Sequence, residues 1–273
     1  MKYGCYLIQN NFEYYPYRII GNASRYMDNG LLYCVDQLNL KISEYAKNHN
    51  WFLLNDINYL SSLTGLENWF NERFWTLYKY PFDMSVQPKV AANLASLIKA
   101  VLGKNKKTII TDLDNTLWKG IIGEVGVEKI EMGNDTPLGE EFNRFQNYLA
   151  VLRQYGILLN ICSKNDYEVA IQGLADDRSV LKADHFVNVK INWEDKYKNI
   201  DRILKDINLG SEATVFVDDS LLECDSVKSF LPEVTCIQME SVQNSIQAIE
   251  DGHYFEIVCI NEEDRNRELY YKQ

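Results

Sequence analysis

The sequence contains little that would support a zinc site, a disulfide framework or a membrane span. Its three histidines lack metal-ligand spacing and its six cysteines are scattered without a C-x-x-C pair, so we expect reduced thiols in a cytoplasmic protein. No run approaches the roughly 18 apolar residues of a membrane-spanning helix, and the chain shows no charged-then-apolar leader. Basic residues are also in deficit, with 28 Lys and Arg against 39 Asp and Glu and a net charge of −11. This charge repels phosphates and disfavours binding to nucleic acid or to an anionic membrane.

The length and the apolar content are sufficient for two modest domains. The chain has 273 residues, of which 46% are hydrophobic. A polar stretch at residues 103–107 separates regions of different pattern and is interpreted as a linker. We therefore expect a small α/β region over residues 1–103, a larger α/β domain over 104–250, and a charged carboxyl-terminal tail over 251–273 whose last residues extend as a helix.

Residues 107–239 alternate short, β-branched apolar runs with longer stretches of helical periodicity. This alternation predicts βαβ units around a parallel sheet. The predicted strands cover residues 108–113, 157–162, 185–189, 214–217 and 234–238. Helices with one apolar face are predicted over residues 138–152 and 193–207, the second with Trp193 at the start of its buried face, and a further helix is predicted over 241–249.

The first hundred residues give weaker signals. A strand is predicted over residues 51–54 and helices over 31–46 and 88–102, with an aromatic-rich stretch over 69–80. These elements predict a small α/β layer.

Acidic residues follow the first predicted strand of the larger region, in the segment Asp112-Leu113-Asp114-Asn115-Thr116. A D-x-D pattern alone is a weak signal, because it also occurs in turns and calcium-binding loops. Here three further elements follow later strands in order: Ser163, Lys196 and the pair Asp218-Asp219. The carboxyl ends of parallel strands meet at one edge of a sheet, where such sheets assemble ligand sites. We therefore expect these side chains to form one site, although Lys196 taken alone would be an exposed helix lysine.

This set of side chains suits phosphoryl transfer. Asp112 is the expected nucleophile, which would form an aspartyl-phosphate, and Asp114 is the expected general acid and base. The pair Asp218-Asp219 would complete an oxygen-rich site for Mg²⁺ beside Asp112. Lys196 and the Ser163 hydroxyl would bind the phosphate oxygens.

The four elements resemble the four motifs of the haloacid-dehalogenase (HAD) superfamily. Within it, DLDNTLWKGIIGEVGVEKI, CSKND, INWEDK and VFVDDS are similar to the FkbH-like subgroup. The resemblance implies a Rossmann-like parallel sheet sandwiched by helices, without a cap domain and with only a short flap near residues 118–132. It also implies a metal site in which the backbone carbonyl of Asp114 and the Asp219 carboxylate are direct Mg²⁺ ligands and Asp218 acts through water. Four further residues of these motifs are expected substrate contacts: Asn115, Thr116, Trp118 and Asn165.

The region upstream is similar to the part that precedes the phosphatase-type domain in FkbH-like proteins. The similar segments are QNNFEYYPYR, LNLKISEYA, LNDINYL and WFNERFWTLYKYPF. In longer members this part resembles an SGNH hydrolase, but no G-D-S block occurs here, and Asp56-Ile57-Asn58-Tyr59 stands where a D-x-x-H motif would be. The resemblance thus implies a scaffold without a catalytic serine or histidine.

FkbH-like proteins convert 1,3-bisphosphoglycerate into a glyceryl thioester on an acyl carrier protein. The resemblance therefore implies a phosphorylated small molecule as substrate and an acyl carrier protein as partner. Such a transfer needs a thiol, and Cys162 is the cysteine that the sequence places beside the phosphate site. A cysteine at a strand end also serves ordinarily as core packing, so both roles remain open.

Three other functions remain to be weighed. A receiver domain also uses aspartates, a hydroxyl and a lysine around magnesium, but its acidic pair comes at the first strand, the reverse of the order here. A generic HAD phosphatase would act on another phosphorylated metabolite. A docking protein would keep the fold without turnover.

Overall fold

The computed structural model describes residues 4–258, which divide into two compact units. One comprises residues 4–103 with 256–258, and the other comprises residues 104–255. Among residues 4–258, no helix combines the length and the apolar character that crossing a membrane requires. The helical extension expected from residue 262 onward lies outside the described residues.

The amino-terminal unit has a two-stranded parallel sheet, in which β1 (Leu7–Asn10) pairs with β2 (Phe52–Asn55). Five helices accompany it: α1 (Leu31–Lys47), α2 (Ile57–Thr64), α3 (Leu66–Trp69), α4 (Glu72–Tyr78) and α5 (Gln87–Val101). Its small core contains Ile57, Leu60, Trp69 and Val86. The predicted strand and the two predicted helices correspond to β2, α1 and α5, whereas β1 and α2 were not predicted.

The segment Asp56-Ile57-Asn58-Tyr59 begins α2. Asp56 is the N-cap: its Oδ1 accepts hydrogen bonds from Tyr59 N at 3.0 Å and from Asn11 Nδ2 at 2.7 Å. The Asp56 carboxylate therefore satisfies a free helix N–H and connects the ends of the two strands, which is a structural task.

The larger unit contains five parallel strands flanked by helices, so the predicted α/β class is confirmed. The strands are β3 (Thr108–Thr111), β4 (Leu158–Ser163), β5 (Asn188–Ile191), β6 (Thr214–Asp218) and β7 (Thr235–Gln238), in the order β5-β4-β3-β6-β7. The helices are α6 (Ile122–Val125), α7 (Pro137–Gln154), α8 (Tyr167–Ala175), α9 (Lys196–Asp206), α10 (Leu221–Phe230) and α11 (Val242–Asp251). The order reverses direction at β3, which places the end of β3 at the topological switch point.

Two apolar layers cover the two faces of this sheet. Ile109 and Ile110 are consecutive in β3 and point to opposite faces, as residues in a strand must. Ile109 belongs to the layer that contains Phe145 of α7, and Ile110 to the layer that contains Ile203 of α9. Every residue of β3 is buried, which explains its continuous apolar and β-branched sequence.

Most predicted element boundaries differ from the structure by one or two residues, and two differ by three. The third strand of the region runs over Asn188–Ile191, not 185–189, because residues 183–185 form a turn of 3₁₀ helix in which His185 Nδ1 accepts from Lys182 N at 3.2 Å. The second predicted helix begins at Lys196, and Trp193 lies before it with 74% of its surface exposed. Trp193 is therefore not part of the core.

Residues 118–132 form a short excursion that contains α6. A backbone bridge between Lys119 and Glu131 closes its base. Arg178 holds it from outside, because its guanidinium donates to Val127 O at 2.7 Å and to Ile130 O at 3.2 Å. Residues 118–132 thus form a short flap that these hydrogen bonds hold in place.

Candidate active site

The strand order brings the predicted motifs to one edge of the sheet. Asp112 directly follows β3, and Asp112 N donates to Val217 O at 3.0 Å. On one side of β3, β4 ends at Ser163; on the other, β6 ends at Asp218. Lys196 is the first residue of α9. Asp112, Ser163 and Asp218 therefore converge because their strands are neighbours and parallel, and Lys196 reaches Asp112 and Asp218 from the start of α9.

Lys196 connects the two buried aspartates of the site. Its Nζ lies 2.9 Å from Asp112 Oδ2 and 2.5 Å from Asp218 Oδ2. Burial opposes the charge of Lys196, but the two carboxylates outweigh it and raise the pKa of this lysine above its usual value. Burial and the neighbouring charge of Asp112 raise the pKa of Asp218 to about 7, against the opposing effect of Lys196. Both aspartates are thus held in fixed positions by one ammonium group.

Three carboxylates form a cluster with the chemistry of a Mg²⁺ site. One oxygen from each of Asp112, Asp218 and Asp219 lies within 4.8 Å of the others. Asp112 Oδ1 is buried and has no hydrogen-bond partner among residues 4–258. A buried carboxylate oxygen without a donor is costly unless a cation or a reacting group satisfies it. The residues present therefore fit a hard divalent cation with oxygen ligands.

Asp114 is half-buried and is held by three donors. Its Oδ1 accepts from Trp118 Nε1 at 2.8 Å and from Ile122 N at 3.1 Å, and its Oδ2 accepts from Asn165 Nδ2 at 2.9 Å. Burial raises the pKa of Asp114, while the Ile122 and Trp118 hydrogen bonds oppose this rise. Because Oδ1 already accepts two hydrogen bonds, Oδ2 is the oxygen that can carry a proton.

Asn115 and Thr116 shape the turn that follows. Asn115 adopts the left-handed conformation, with φ of 53°, and its Oδ1 accepts from Gly120 N at 3.1 Å. Its side chain also hydrogen-bonds Asp219. Thr116 is fully buried, and its Oγ1 has no partner among the described residues. Asn115 therefore positions the loop beside the metal cluster.

Trp118 and Cys162, two of the predicted substrate contacts, are fully buried. Trp118 is 0% exposed, and its indole Nε1 donates to Asp114 Oδ1 from the core side, which orients this carboxylate. Cys162 is also 0% exposed; its Sγ lies 3.6 Å from Lys196 O, and burial raises the pKa of its thiol far above the usual range. A neutral, enclosed thiol is core packing. Ser163 and Asn165, which come next, are buried at the edge of the site.

Sequence reasoning missed an ion pair at the rim of the site. Lys164 lies between Ser163 and Asn165, and its Nζ is 2.6 Å from Oε1 of Glu223 in the first turn of α10. Lys164 stood within the CSKND motif, so its place beside the site could have been inferred. Its partner could not, because the two residues are 59 positions apart.

Comparisons with known proteins identify a similar solved structure. No family model matches the chain, and no curated protein matches it. The crystal structure of the amino-terminal part of the protein BF1531 from Bacteroides fragilis, which contains a phosphatase domain and is complexed with Mg, is 26% identical with a TM-score of 0.87. The match covers 93% of this chain and 68% of that one.

Weaker matches cover about half of this chain. An uncharacterized protein from Corynebacterium glutamicum is 16% identical with a TM-score of 0.38, over 55% of this chain and 97% of that one. A HAD family enzyme from Bacteroides thetaiotaomicron, in complex with magnesium and inorganic phosphate, is 13% identical with a TM-score of 0.33, over 49% of this chain and 93% of that one. These scores are too low to bear on this chain. The five-stranded parallel sheet flanked by helices has the arrangement of a HAD-type fold, and it matches the Bacteroides fragilis structure.

Proposed function

We propose that this protein is a Mg²⁺-dependent phosphohydrolase of the HAD type, acting on a phosphorylated small molecule through an aspartyl-phosphate at Asp112. One observation carries the proposal. The Asp112 carboxylate is held at Oδ2 by Lys196, while its buried Oδ1 has no hydrogen-bond partner among residues 4–258 and lies in a cluster of carboxylates. A fixed, charged and otherwise unoccupied oxygen is the arrangement that a carboxylate nucleophile needs.

In the first step, an oxygen of Asp112 forms a bond to phosphorus while the bond from phosphorus to the leaving oxygen breaks. Asp114 transfers a proton from its Oδ2 to that leaving oxygen. In the second step, Asp114 takes a proton from water, whose oxygen bonds to phosphorus while the bond from phosphorus to Asp112 breaks. This step releases phosphate and regenerates the Asp112 carboxylate. Trp118 and Ile122 hold Oδ1 throughout, so that the same oxygen of Asp114 donates and then accepts the proton.

The bound cation would neutralise the phosphate oxygens that approach the aspartates. We assign the direct contacts to Asp112, Asp219 and the backbone carbonyl of Asp114. Asp218 is assigned an indirect role, because its Oδ2 accepts from Lys196 and its Oδ1 accepts from Ser220 N at 2.9 Å. Both of its oxygens are thus engaged by the protein.

The finer proposal is that the chemistry is FkbH-like, with a glyceryl group transferred from 1,3-bisphosphoglycerate to an acyl carrier protein. It rests on the motif resemblance. The burial of Cys162 removes the protein thiol from this route, so the carrier thiol would attack the acyl carbon directly and release the 1-phosphate, while Asp112 would remove the 3-phosphate. In this proposal the amino-terminal unit is a scaffold, which agrees with the helix-capping role of Asp56.

The first test is phosphate release with and without Mg²⁺, combined with binding of beryllofluoride plus Mg²⁺ as a mimic of the phosphorylated aspartate. Turnover with Mg²⁺ that is lost with chelator supports the proposal. Binding of beryllofluoride without turnover on a broad panel of phosphate esters and acyl phosphates would favour the docking role instead. Intact-mass analysis of a phosphopantetheinylated carrier protein, incubated with 1,3-bisphosphoglycerate, tests the glyceryl transfer separately.

A further inference from the structure

The ion pair between Lys164 and Glu223 spans the end of β3. Lys164 follows β4, and Glu223 lies in the helix that follows β6; these two strands flank β3 on opposite sides. The pair therefore reaches across the strand whose end carries Asp112. Both side chains are partly buried, at 32% and 21% exposure.

The pair has little to contribute to stability. Ion pairs that water still reaches are worth about 0–1 kcal/mol, because desolvation and lost side-chain freedom offset the attraction. The place that Glu223 occupies is nonetheless favourable for an anion, since it combines the Lys164 ammonium with the amino-terminal turn of the ten-residue α10. Glu223 thus marks a position at the rim where a negative group is stabilised.

A second anionic group on a substrate needs a cation of its own, because the proposed Mg²⁺ and the buried ammonium of Lys196 already offset the charge of the aspartates in the site. These aspartates are Asp112, Asp114, Asp218 and Asp219. Lys196 is engaged by two of them, so it has limited capacity to neutralise further negative groups on a substrate. Lys164 adjoins Ser163 and Asn165, both at the edge of the site, and its own partner is a residue outside the catalytic cluster.

We propose that Lys164 is a substrate-binding residue that exchanges Glu223 for a second anionic group, a carboxylate or a second phosphate, on the substrate whose phosphoryl group reaches Asp112. The inference rests on the proposed function for the position of the transferred phosphate. It adds the substrate class: phosphorylated molecules that carry another negative group are preferred over monoesters of neutral alcohols. Glu223 acts as the internal competitor for that group.

The test uses substrate pairs that differ by one anionic group. Glycerol 3-phosphate and 3-phosphoglycerate differ by a carboxylate, and fructose 6-phosphate and fructose 1,6-bisphosphate differ by a phosphate. Dissociation constants are measured by calorimetry with Mg²⁺ on the full chain carrying Asp112→Asn, so that ligands stay intact, and phosphate release is measured on the chain without that change. Lys164→Gln is expected to weaken binding of the second-anion member of at least one pair by about 10- to 100-fold, the loss of one charged hydrogen bond. Binding of the other member of that pair, which lacks the second anionic group, should not change.

Three further variants complete the design. Lys164→Arg should restore most of the affinity because it keeps the charge, and Glu223→Gln should tighten binding of the second-anion ligand by removing its competitor. Lys205→Gln is the matched control, since Lys205 forms an exposed ion pair of equal length with Asp201 on α9, and it should change nothing. Which substrate pair responds distinguishes a carboxylate from a phosphate.

The outcomes separate the two proposals. In one outcome, Lys164→Gln weakens binding of only the second-anion ligands while the unmodified chain releases no phosphate. That result would support the binding role of Lys164 and overturn the proposed phosphohydrolase activity. If the unmodified chain releases phosphate but Lys164→Gln changes no dissociation constant, or changes both members of each pair equally, the binding role of Lys164 is overturned. The proposed phosphohydrolase activity then remains. Absence of binding by all second-anion ligands would overturn the binding role of Lys164 as well.

Discussion

The indole Nε1–H of Trp118 donates a 2.8 Å hydrogen bond to Asp114 Oδ1 from inside the apolar core. Trp118 lies four residues after the aspartate and is fully buried. The proposed acid is therefore oriented from the core side by a rigid ring, while its other oxygen, Oδ2, carries out the proton transfer. Orientation of this kind affects turnover more than it affects substrate binding.

Removing that donor while keeping a ring tests the relationship. Trp118→Phe should lower kcat roughly 10-fold with little change in KM, since a hydrogen bond to a charged group is lost. Trp69→Phe is the control, because Trp69 is also buried but its Nε1 has no partner among residues 4–258 and lies in the amino-terminal unit. An equal fall in kcat for both variants would show that the Trp118 effect is general destabilisation.

Substitution of Gly173, a glycine in α8, would displace the Trp118 ring in a different way. A Cβ at Gly173 in α8 would lie 2.9 Å from Trp118 Cη2 and 3.0 Å from Ile122 Cδ1. Gly173→Ala should therefore lower both the melting temperature and kcat, although alanine gains about 1 kcal/mol in helix propensity over glycine. A variant that is more stable than the parent and fully active would show that the packing around Trp118 yields easily.

Substitution of the two aspartates of the D-x-D motif should separate their roles. Asp112→Asn should abolish phosphate release, because an amide is a poor nucleophile. Asp114→Asn should still bind Mg²⁺ but lose ~10² to 10⁴ in rate, the usual contribution of general acid–base catalysis. Asp201→Asn, a change of a partly exposed carboxylate on the outer face of α9, is the control. Substantial turnover by Asp112→Asn would remove the nucleophile assignment.

The rate of alkylation should be high for exposed cysteines and low for buried ones. Cys5 and Cys34 are exposed, whereas Cys162 and Cys224 are buried. Burial raises the pKa of Cys224 to about 12 and that of Cys162 further still, so their reactive thiolates are scarce until the pH approaches these values. Iodoacetamide at pH 8 should label the first two rapidly and the last two only after unfolding, as measured by mass spectrometry.

Activity of a cysteine variant completes this test. Cys162→Ala should retain phosphate release and carrier loading, if loading occurs. Rapid labelling of Cys162 in the folded protein, or loss of carrier loading alone in Cys162→Ala, would restore the cysteine as a transfer residue.

Gln146 of α7 should be among the residues most important for stability. Its Oε1 accepts from Val180 N at 2.8 Å, from Leu181 N at 3.0 Å and from Ser179 Oγ at 3.1 Å, and its Nε2 donates to Leu117 O at 2.8 Å. Gln146→Leu would leave several buried polar groups without partners, so the free energy of unfolding should fall by ~3 kcal/mol or more. Urea denaturation measures this, with the exposed Gln172→Leu of α8 as control.

The sequence predicted the sheet of the larger unit because its strands are buried on both faces and read as short apolar runs. It predicted the convergence of Asp112, Ser163, Lys196 and Asp218 because residues at parallel strand ends meet at one edge. The sequence did not predict which way each side chain points. Cys162 precedes Ser163 by one position in the strand, so its side chain points into the core.

Some backbone features also gave no signal in the sequence. The Ile122 N–H that holds Asp114 is a backbone group and carries no residue signature. Strand β1 was missed because it is short and half-exposed, and so lacks the continuous apolar pattern of a central strand. The metal assignment between Asp218 and Asp219 came from resemblance; the engagement of both Asp218 oxygens now gives it a physical reason.

The arrangement of the sheet has a practical consequence for protein engineering. Every residue of the proposed site lies at or after the carboxyl end of a strand, whereas the connections from helix to strand lie at the opposite edge. The turn at residues 207–213, between α9 and β6, is one of these. Insertion of a fluorescent reporter there would interrupt no contact described for the site, so the chemistry and the reporter would lie at opposite edges of the same sheet.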